Sequence, residues 1–385
     1  CFNQVQAQIL DYSYKHYGKE DGLPSNTIYA SLQDKSGYLW LGTEKGLVRF
    51  DGYSYKVYTH PKMTGQSVSD LHIDGYGRVW CQNFIGQHFY VFQDSLYFPS
   101  QFKTAGFYTP IVIDKRNNIY SSSDSSIYVF NASLKQIDSF SVGMQLVAPF
   151  LFDDKYTFTS DQALARYHHK KVEAINTYLQ LNPNNARSYS FKIGSNIYTY
   201  SKPSSNACLY QIYPKHQQIP LNFKLGSAII LTVSVTNDSL VWLNTTDGVF
   251  LLNNKLEPVA VSQPLFKGYS ISGVIQDKNG AYWVSTLGKG LLYIPQLNAT
   301  QYRVPQELFS RTCLYKNGQI LVGGNSGFLH SLSASASGLN TVIKLKVKQQ
   351  VSALLFDSTN NTLLVASGSL SIFKDNKHLG FVNAA

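Results

Sequence analysis

One sequence pattern recurs about every 40 residues along the chain and limits what it can fold into. In each copy a turn sequence is followed, three residues later, by an aromatic or apolar residue. The nine residues at this position are Trp40, Trp80, Tyr120, Phe158, Tyr198, Trp242, Trp283, Leu321 and Leu364. The chain contains four Trp in all, and all four occupy this position. The periodicity therefore predicts a repeat protein.

The first copy reads as four short strands joined by tight turns. Residues 27–32, 38–43, 47–50 and 55–58 are short runs that are rich in β-branched and aromatic residues. Asp34 begins the first turn, where its side chain can accept hydrogen bonds from backbone N–H groups. One repeat is thus predicted to be a four-stranded antiparallel meander.

A single meander with two apolar faces cannot bury both of them. When copies pack face to face around an axis, both faces are buried and few strand edges stay exposed. The sequence therefore predicts an all-β protein, a β-propeller of four-stranded antiparallel blades, with almost no helix. We expect a seven-bladed ring followed by further blades of a second propeller. A single eight- or nine-bladed ring is the alternative.

The repeated residues have a structural explanation in this fold. A Trp on the second strand of a blade would face the next blade and fill the core between them, which we expect of Trp40, Trp80, Trp242 and Trp283. Glycines at the turns supply backbone conformations that other residues avoid, which we expect of Gly37, Gly46, Gly280 and Gly290.

These assignments divide the chain into three parts. We assign residues 1–10 to a leader, residues 11–305 to the seven-bladed propeller, and residues 306–385 to two further blades that begin a second propeller. Residues 12–17 resemble an outer strand without a blade of its own, and are placed to complete the last blade. The leader resembles the end of a secretory signal peptide, with Ala7 before Gln8. Cys1 as a lipoprotein cysteine and a simple frayed leader are the alternatives.

Composition and motifs argue against several functional classes. The net charge of +10 is spread along the chain, so we expect no nucleic-acid partner. Four Cys without paired or metal-binding spacing, and adjacent His168 and His169 that alternate faces in a strand, predict no metal site. No nucleotide-binding, zinc-protease or hydrolase motif occurs, so we expect no cofactor and no catalytic residue. No apolar run is long enough to span a membrane.

Two stretches of the first repeat resemble a known family. The run from Asp21 to Ile28, Asp-Gly-Leu-Pro-Ser-Asn-Thr-Ile, is followed by a second run from Asp34 to Gly52 that contains Gly-Tyr-Leu-Trp-Leu-Gly-Thr and ends in Arg-Phe-Asp-Gly. Together they resemble the two-component regulator propeller repeat. The repeat around Trp283 resembles it strongly as well. The second and sixth repeats, around Trp80 and Trp242, match it less closely, and the other five repeats match by spacing and predicted strands alone.

The resemblance implies a sensor. Family members form the periplasmic region of histidine kinases and hybrid two-component systems, chiefly in Bacteroidetes, and many detect oligosaccharides. It implies a periplasmic, ligand-sensing propeller that binds a small solute or oligosaccharide, forms a homodimer in the full-length protein, and meets the membrane only through downstream segments. A propeller enzyme acting on glycans and a protein-interaction scaffold are the alternatives.

A ligand is expected on the face where the second-to-third-strand turns and the inter-blade loops emerge, because such loops carry function in ring folds. Aromatic groups there could stack on a sugar, and polar groups could bond to it. The candidate ligand-binding residues are Glu44, Lys45, Phe84, Tyr108, Asp161, Tyr178, Asp247, Lys289 and Asn325.

Overall fold

The computed structural model shows an all-β protein, and the propeller prediction is confirmed. It describes residues 14–102, 110–123, 126–141, 148–152, 155–159, 164–168, 171–176, 188–201, 209–215, 217–221, 223–237, 239–259, 264–297, 310–316, 319–324, 328–335, 338–346, 350–375 and 377–382. The predicted leader, residues 1–10, lies outside these ranges. The described residues fall into two compact units, one of them Tyr14–Gln296 and the other within Leu297–Ala385.

Seven antiparallel sheets make up the first unit, and we call them blades 1 to 7. Blade 1 contains β2 (Ile28–Gln33), β3 (Leu39–Thr43), β4 (Gly46–Phe50) and β5 (Tyr55–Tyr58). Blade 2 contains β6 (Val68–Ile73), β7 (Val79–Asn83), β8 (His88–Phe92) and β9 (Ser95–Tyr97). Blade 3 contains β10 (Ile111–Ile113), β11 (Ile119–Ser123), β12 (Ser126–Phe130) and β13 (Gln136–Ser141).

The remaining blades follow the same order with two exceptions. Blade 4 contains β14 (Ala148–Phe152), β15 (Lys155–Thr159), β16 (Leu164–His168) and β17 (Lys171–Asn176). Blade 5 contains β18 (Ser188–Ile193), β19 (Asn196–Ser201), β20 (Leu209–Tyr213) and β21 (Gln217–Ile219). Blade 6 contains β22 (Ile230–Val235), β23 (Val241–Thr245) and β24 (Gly248–Leu252), and blade 7 contains β25 (Ile271–Gln276), β26 (Tyr282–Thr286), β27 (Leu291–Ile294) and β1 (Lys15–Tyr17).

The seven blades close into a ring. Their first strands contact one another in the order β2, β6, β10, β14, β18, β22, β25 and back to β2, so they form the inner wall. The fourth strand of blade 7 comes from the start of the chain, because β1 pairs antiparallel with β27, with His16 opposite Leu292. The prediction that residues near the N-terminus complete the last blade is confirmed. A 3₁₀ turn, Lys19–Asp21, leads from β1 towards blade 1.

Blade 6 departs from the predicted four-stranded meander. Its sheet has three strands in the described residues, and the chain beyond β24 makes isolated bridges, Leu252 with Pro258 and Val249 with Leu265. Proline has no N–H to donate to a ladder, so a regular fourth strand is disfavoured at Pro258. The outer position of this blade is therefore covered by irregular chain.

The four Trp lie on second strands and are all at the boundaries between blades. Trp40 belongs to a buried cluster with Val79 and Val91 of blade 2, and the wholly buried Trp80 packs with Phe102, Ile111 and other apolar side chains towards blade 3. Trp242 lies against Tyr282 of blade 7, and Trp283 against Phe50 of blade 1. The core of this unit is thus a ring of interfaces between neighbouring blades.

The second unit contains two four-stranded sheets. One consists of β28 (Ser310–Lys316), β29 (Gln319–Gly324), β30 (Phe328–Ser335) and β31 (Gly338–Lys346). The other consists of β32 (Ala353–Asp357), β33 (Thr362–Ala366), β34 (Leu370–Lys374) and β35 (Lys377–Val382). Leu329, Val351, Val365 and Phe373 form their shared buried cluster. Within the described ranges, no helical segment combines the length and apolar character that crossing a bilayer requires.

Candidate functional site

The second-to-third-strand turns and the starts of the first strands lie on one face of the ring, which we call the turn face. The link is visible in backbone hydrogen bonds: Glu44 N donates to the Thr27 carbonyl at 3.2 Å, and Leu287 N donates to the Ser270 carbonyl at 2.8 Å. In each case a turn is bonded to the residue that leads into the first strand of its own blade. The turn face therefore carries both kinds of loop on which a ligand is expected.

Two predicted residues form the blade 1 turn. Glu44 is exposed, and its carboxylate accepts a hydrogen bond from the Ser25 hydroxyl at 3.2 Å. Lys45 is also exposed, and its backbone N–H donates to Thr43 Oγ1 at 3.1 Å, which fixes the turn. The Lys45 side chain is therefore free to reach solvent from a backbone that is held in place, whereas the exposed Glu44 carboxylate is also tied to Ser25.

Two more predicted residues occupy the corresponding turns of blades 6 and 7. Asp247 accepts a hydrogen bond from Gly268 N at 2.7 Å, so its carboxylate fastens a neighbouring loop. Lys289 is exposed, and its backbone carbonyl contacts His16 Nε2 at 2.6 Å. Asp247 thus has a structural partner, whereas the Lys289 ammonium group faces solvent.

The strongest candidate for ligand contact is an aromatic pair between blades 1 and 2. Phe84, in the blade 2 turn, is 44% exposed, and its ring meets that of Tyr29 edge to face, with centroids 4.8 Å apart. Ile85, next in the turn, is 37% exposed. The two exposed side chains therefore present an apolar surface at the turn tip, beside the Tyr29 ring. We call Tyr29, Phe84 and Ile85 the aromatic patch.

The backbone beneath the aromatic patch is held by amide side chains. Asn83 Nδ2 donates to Gln87 Oε1 at 2.8 Å, and Gln87 N donates back to Asn83 Oδ1 at 2.9 Å. Gln87 also bonds the connection from blade 1, accepting from Thr64 N at 3.0 Å and donating to the Lys62 carbonyl at 3.0 Å. The patch therefore stands on a preorganised turn, which lowers the entropic cost of binding.

The inner wall holds a polar pair that the sequence analysis missed. Asp70, in β6, has a left-handed backbone with φ of 56°, at a point where the pairing of β6 with β7 shifts register. Its two oxygens meet His72 Nε2 at 2.9 Å and Ile111 N at 3.0 Å. The signal was available, because residues two apart on a strand share a face.

The charge of Asp70 changes the pKa of His72. Burial by itself lowers this pKa, but the Asp70 carboxylate and its hydrogen bond act in the opposite direction and leave it above its ordinary value. About a third of the His72 side chain still reaches solvent. The pair therefore provides a charge on the inner wall that is accessible from solution.

Other polar groups connect neighbouring blades through their first and second strands. Thr232 of blade 6 donates to the Ser272 carbonyl of blade 7 at 2.7 Å, and Ser285 of blade 7 bonds Ser31 of blade 1 at 2.9 Å. These hydroxyl groups mainly join blades. Four predicted site residues, Tyr108, Asp161, Tyr178 and Asn325, lie outside the described residues and stay predictions.

The resemblance noted in the sequence is confirmed by comparison with known families. The family described as "Two component regulator propeller" matches residues 22–45, which run from the entry to blade 1 through its first two strands. A curated relative, Histidine kinase P4 from Formosa agariphila, is 35% identical over 65 residues, which is 17% of this chain and 5% of that protein.

Solved structures share the propeller fold. The extracellular domain of the putative hybrid two component system BT3049 from B. thetaiotaomicron has a TM-score of 0.62 at 17% identity, over 97% of this chain and 54% of that one. The extracellular domain of BT4673, a putative one component system of the same organism, has a TM-score of 0.58 at 16% identity, over 95% and 53%. Virginiamycin B lyase from Staphylococcus aureus has a TM-score of 0.56 at 10% identity, over 74% and 99%.

The chain is therefore a β-propeller in which residues 22–45, at the first blade, match the regulator propeller repeat. The chain spans about half the length of the two extracellular domains and a small part of the curated kinase. Its fold is shared both by extracellular domains of signalling systems and by an enzyme, so fold alone does not assign an activity.

Proposed function

We propose that this chain is the ligand-sensing propeller of a two-component signalling protein and lies outside the cytoplasm. It binds a small solute, and the chemistry of the turn face favours an oligosaccharide. Ligand binding is signalled across the membrane to a histidine kinase. The observation that carries the proposal is the match of residues 22–45, in blade 1, to the regulator propeller repeat. Similarity of 65 residues of the chain to a histidine kinase adds to it.

The fold supports the proposed location. Two of the structures that share it are extracellular domains of one- or two-component systems, and each is about twice the length of this chain. A chain with this fold can serve as the outer part of a longer receptor. We further propose that the full-length protein is a homodimer, so that a ligand alters the spacing of two copies.

The aromatic patch supports the proposed ligand class. A sugar ring presents C–H groups on one face and hydroxyl groups at its edge, so a binding site needs an apolar surface beside a few polar groups. Phe84 and Tyr29 supply the surface. Glu44, Lys45 and Lys289 place a carboxylate and two ammonium groups at other turns of the same face. We propose that the ligand stacks on the Phe84 ring.

A screen of oligosaccharides by thermal shift tests this proposal with the 385-residue chain. We expect one class of oligosaccharide to raise the unfolding temperature, and Phe84→Ala to weaken its binding by roughly tenfold, since hot-spot aromatics contribute more than about 1 kcal/mol. Tyr53→Ala is the matched control, because Tyr53 is an aromatic turn residue with 95% exposure and lies in a third-to-fourth-strand turn.

The same experiment distinguishes the proposed function from the alternative functions. Conversion of the oligosaccharide to products would support a propeller enzyme. If no oligosaccharide raises the unfolding temperature and the chain stably binds a purified protein partner, the result would support a protein-interaction scaffold. Equal weakening by Phe84→Ala and Tyr53→Ala would place the ligand away from the aromatic patch.

A further inference from the structure

The segment that closes the ring also brings together three side chains that can bind a metal ion. His16 lies in β1, and Glu20 and Asp21 belong to the 3₁₀ turn that follows it. One ring nitrogen of His16 and one oxygen of each carboxylate all lie within 4.8 Å of one another. Across the part of the chain that the structure describes, no other three His, Cys, Asp or Glu side chains come this close.

Local backbone structure holds the two carboxylates in position. Gly18 N donates to Asp21 Oδ2 at 2.9 Å, and Leu23 N donates to the Gly18 carbonyl at 3.1 Å, so the turn is closed on both sides. The Glu20 side chain folds back over Gly18, where a β-carbon would collide with its carboxylate. The glycine thus leaves room for Glu20 to reach His16.

The hydrogen bond on the far side of the imidazole determines which nitrogen is free. His16 Nε2 lies 2.6 Å from the carbonyl oxygen of Lys289, and a carbonyl only accepts, so Nε2 carries the proton. In the neutral ring, Nδ1 then presents a lone pair. That atom lies 3.3 Å from Glu20 Oε1, which is also an acceptor. Two acceptors at this distance repel each other unless a proton or a metal cation lies between them.

This arrangement matches the usual surroundings of a metal-bound histidine. Such residues donate their second ring N–H to a backbone carbonyl or carboxylate, which orients the ring and makes the free nitrogen more basic. The Lys289 carbonyl fulfils that role for His16. Because Lys289 belongs to blade 7, the orientation of His16 depends on the closed ring.

We propose that His16 Nδ1 and the carboxylates of Glu20 and Asp21 bind a divalent first-row transition metal ion, for which zinc is the best match. One imidazole and two carboxylates form a mixed nitrogen and oxygen set, which suits zinc. Calcium prefers six to eight oxygen ligands and magnesium retains most of its water, so neither suits three protein ligands of this kind. Solvent fills the remaining position, because all three residues are exposed.

The proposed ion fastens the closing strand. It connects β1, through His16, to the turn that leads into blade 1, while the Lys289 carbonyl connects the same imidazole to blade 7. Of the nearby lysines, Lys15 places its ammonium group 4.5 Å from the centre of the Tyr17 ring, and the Lys19 side chain is exposed. No metal site was predicted from the sequence, because the four Cys and the adjacent His168 and His169 have no metal-binding spacing. His16, Glu20 and Asp21 match no metal motif, so the proposed site differs from that prediction.

Calorimetric titration of zinc chloride into the chelator-treated, 385-residue chain at pH 7.5 tests the proposal. We expect the unmodified chain to bind zinc at one site. His16→Ala and Glu20→Gln should each lower the zinc affinity at least about tenfold, because even the loss of a group that only orients a metal ligand has an effect of this size. Glu20 is 63% exposed, so Glu20→Gln leaves folding intact. His60→Ala is the matched control, since His60 belongs to no such group.

A thermal shift measurement provides the second readout. Zinc in large excess should raise the unfolding temperature of the unmodified chain by roughly 5 °C, as expected for a ligand at about a hundred times its Kd. Magnesium should not, and zinc should have no effect on His16→Ala. Equal zinc binding by His16→Ala and the unmodified chain, or no zinc binding at all, would overturn the proposal. A protonated His16 paired with Glu20 would then explain the contact.

Discussion

The indole Nε1 of Trp80 donates a hydrogen bond to Oδ2 of Asp74 over 3.0 Å, with both side chains buried. The other oxygen of Asp74 accepts from two backbone N–H groups of its own turn, those of Tyr76 and Arg78, each at 3.0 Å. One carboxylate thus fixes the turn before the second strand and the Trp six residues later. The turn geometry and the packing between blades are therefore set by the same side chain.

The same relationship recurs in other blades. Trp40 donates to Asp34 at 2.8 Å, and Trp283 donates to Asp277 at 3.0 Å. In blade 6, Thr236 accepts from Trp242 at 3.2 Å instead, so a hydroxyl group replaces the carboxylate. The spacing of six residues is therefore a structural requirement of the repeat.

Asp74→Ala should strongly destabilise the propeller. The change leaves the Trp80 indole N–H and the Arg78 guanidinium group buried without their common partner. Removing one member of a buried charge pair costs about 3–5 kcal/mol. We expect a loss of this size in the free energy of unfolding, measured by urea denaturation with tryptophan fluorescence.

Asp51→Ala is the matched control for this change. Asp51 also accepts from backbone N–H groups of its turn, those of Tyr53 and Ser54, but it is exposed and contacts no Trp. Its replacement should have a much smaller effect. Similar losses for the two variants would show that the Trp and Arg contacts of Asp74 contribute little.

Gly290→Ala should disturb the closure of the ring. Gly290 has a φ of 78°, and a β-carbon there would collide with the carbonyl oxygen of Tyr17, the last residue of β1. Positive φ disfavours alanine by about 1 kcal/mol, and forcing extra volume into a packed site adds about 1–3 kcal/mol. We expect a total loss of about 2–4 kcal/mol in the same denaturation experiment.

Gly280→Ala separates the two contributions. Gly280 has a similar φ of 87°, but a β-carbon there would meet no atom within 4 Å. We therefore expect a loss of only about 1 kcal/mol from the backbone conformation. If Gly280→Ala costs as much as Gly290→Ala, the contact between β1 and blade 7 does not limit stability.

Asp94 should make stability depend on pH in the acidic range. Its carboxylate accepts from Lys56 and Tyr58 and pairs with Arg49 at 2.9 Å, and these contacts lower its pKa from 3.8 to about 2. A carboxylate with a lowered pKa stabilises the folded state above its unfolded value, and this contribution is lost as pH falls towards the folded value. The contribution of Asp94 should therefore disappear between pH 3.8 and about 2.

Comparison with Asp94→Asn measures this contribution. The urea midpoint of the unmodified chain should exceed that of the variant near neutral pH, and the difference should shrink as pH falls through the window given for Asp94. A difference that stays constant over this window would mean that the charge of Asp94 has no part in joining blades 1 and 2.

The fold was predictable because its main determinant is local and repeated. The four Trp, at positions 40, 80, 242 and 283, mark the second strands of four of the seven blades. The strand near residue 15 that closes the ring could be recognised because it lacked a blade of its own. The three-stranded sheet of blade 6 was not predicted, since the replacement of a ladder by isolated bridges depends on how Pro258 packs.

The candidate site was less predictable because its residues meet only through the ring. Tyr29 and Phe84 belong to different blades, and their contact follows from the placement of two repeats side by side. Phe84 was predicted from its turn, whereas Tyr29 was not. His16 and Lys289 are far apart in the sequence and meet because β1 joins blade 7. Motif spacing carries no information about such pairs.

Titration calorimetry tests the sensor assignment most directly. The 385-residue chain is titrated with the oligosaccharide selected by the thermal shift screen, and the mass of the recovered sugar is then determined by mass spectrometry. We predict saturable binding that Phe84→Ala weakens by roughly tenfold and Tyr53→Ala does not, with the sugar recovered intact. Cleavage or modification of the recovered sugar, or binding that Phe84→Ala leaves unchanged, would contradict the account.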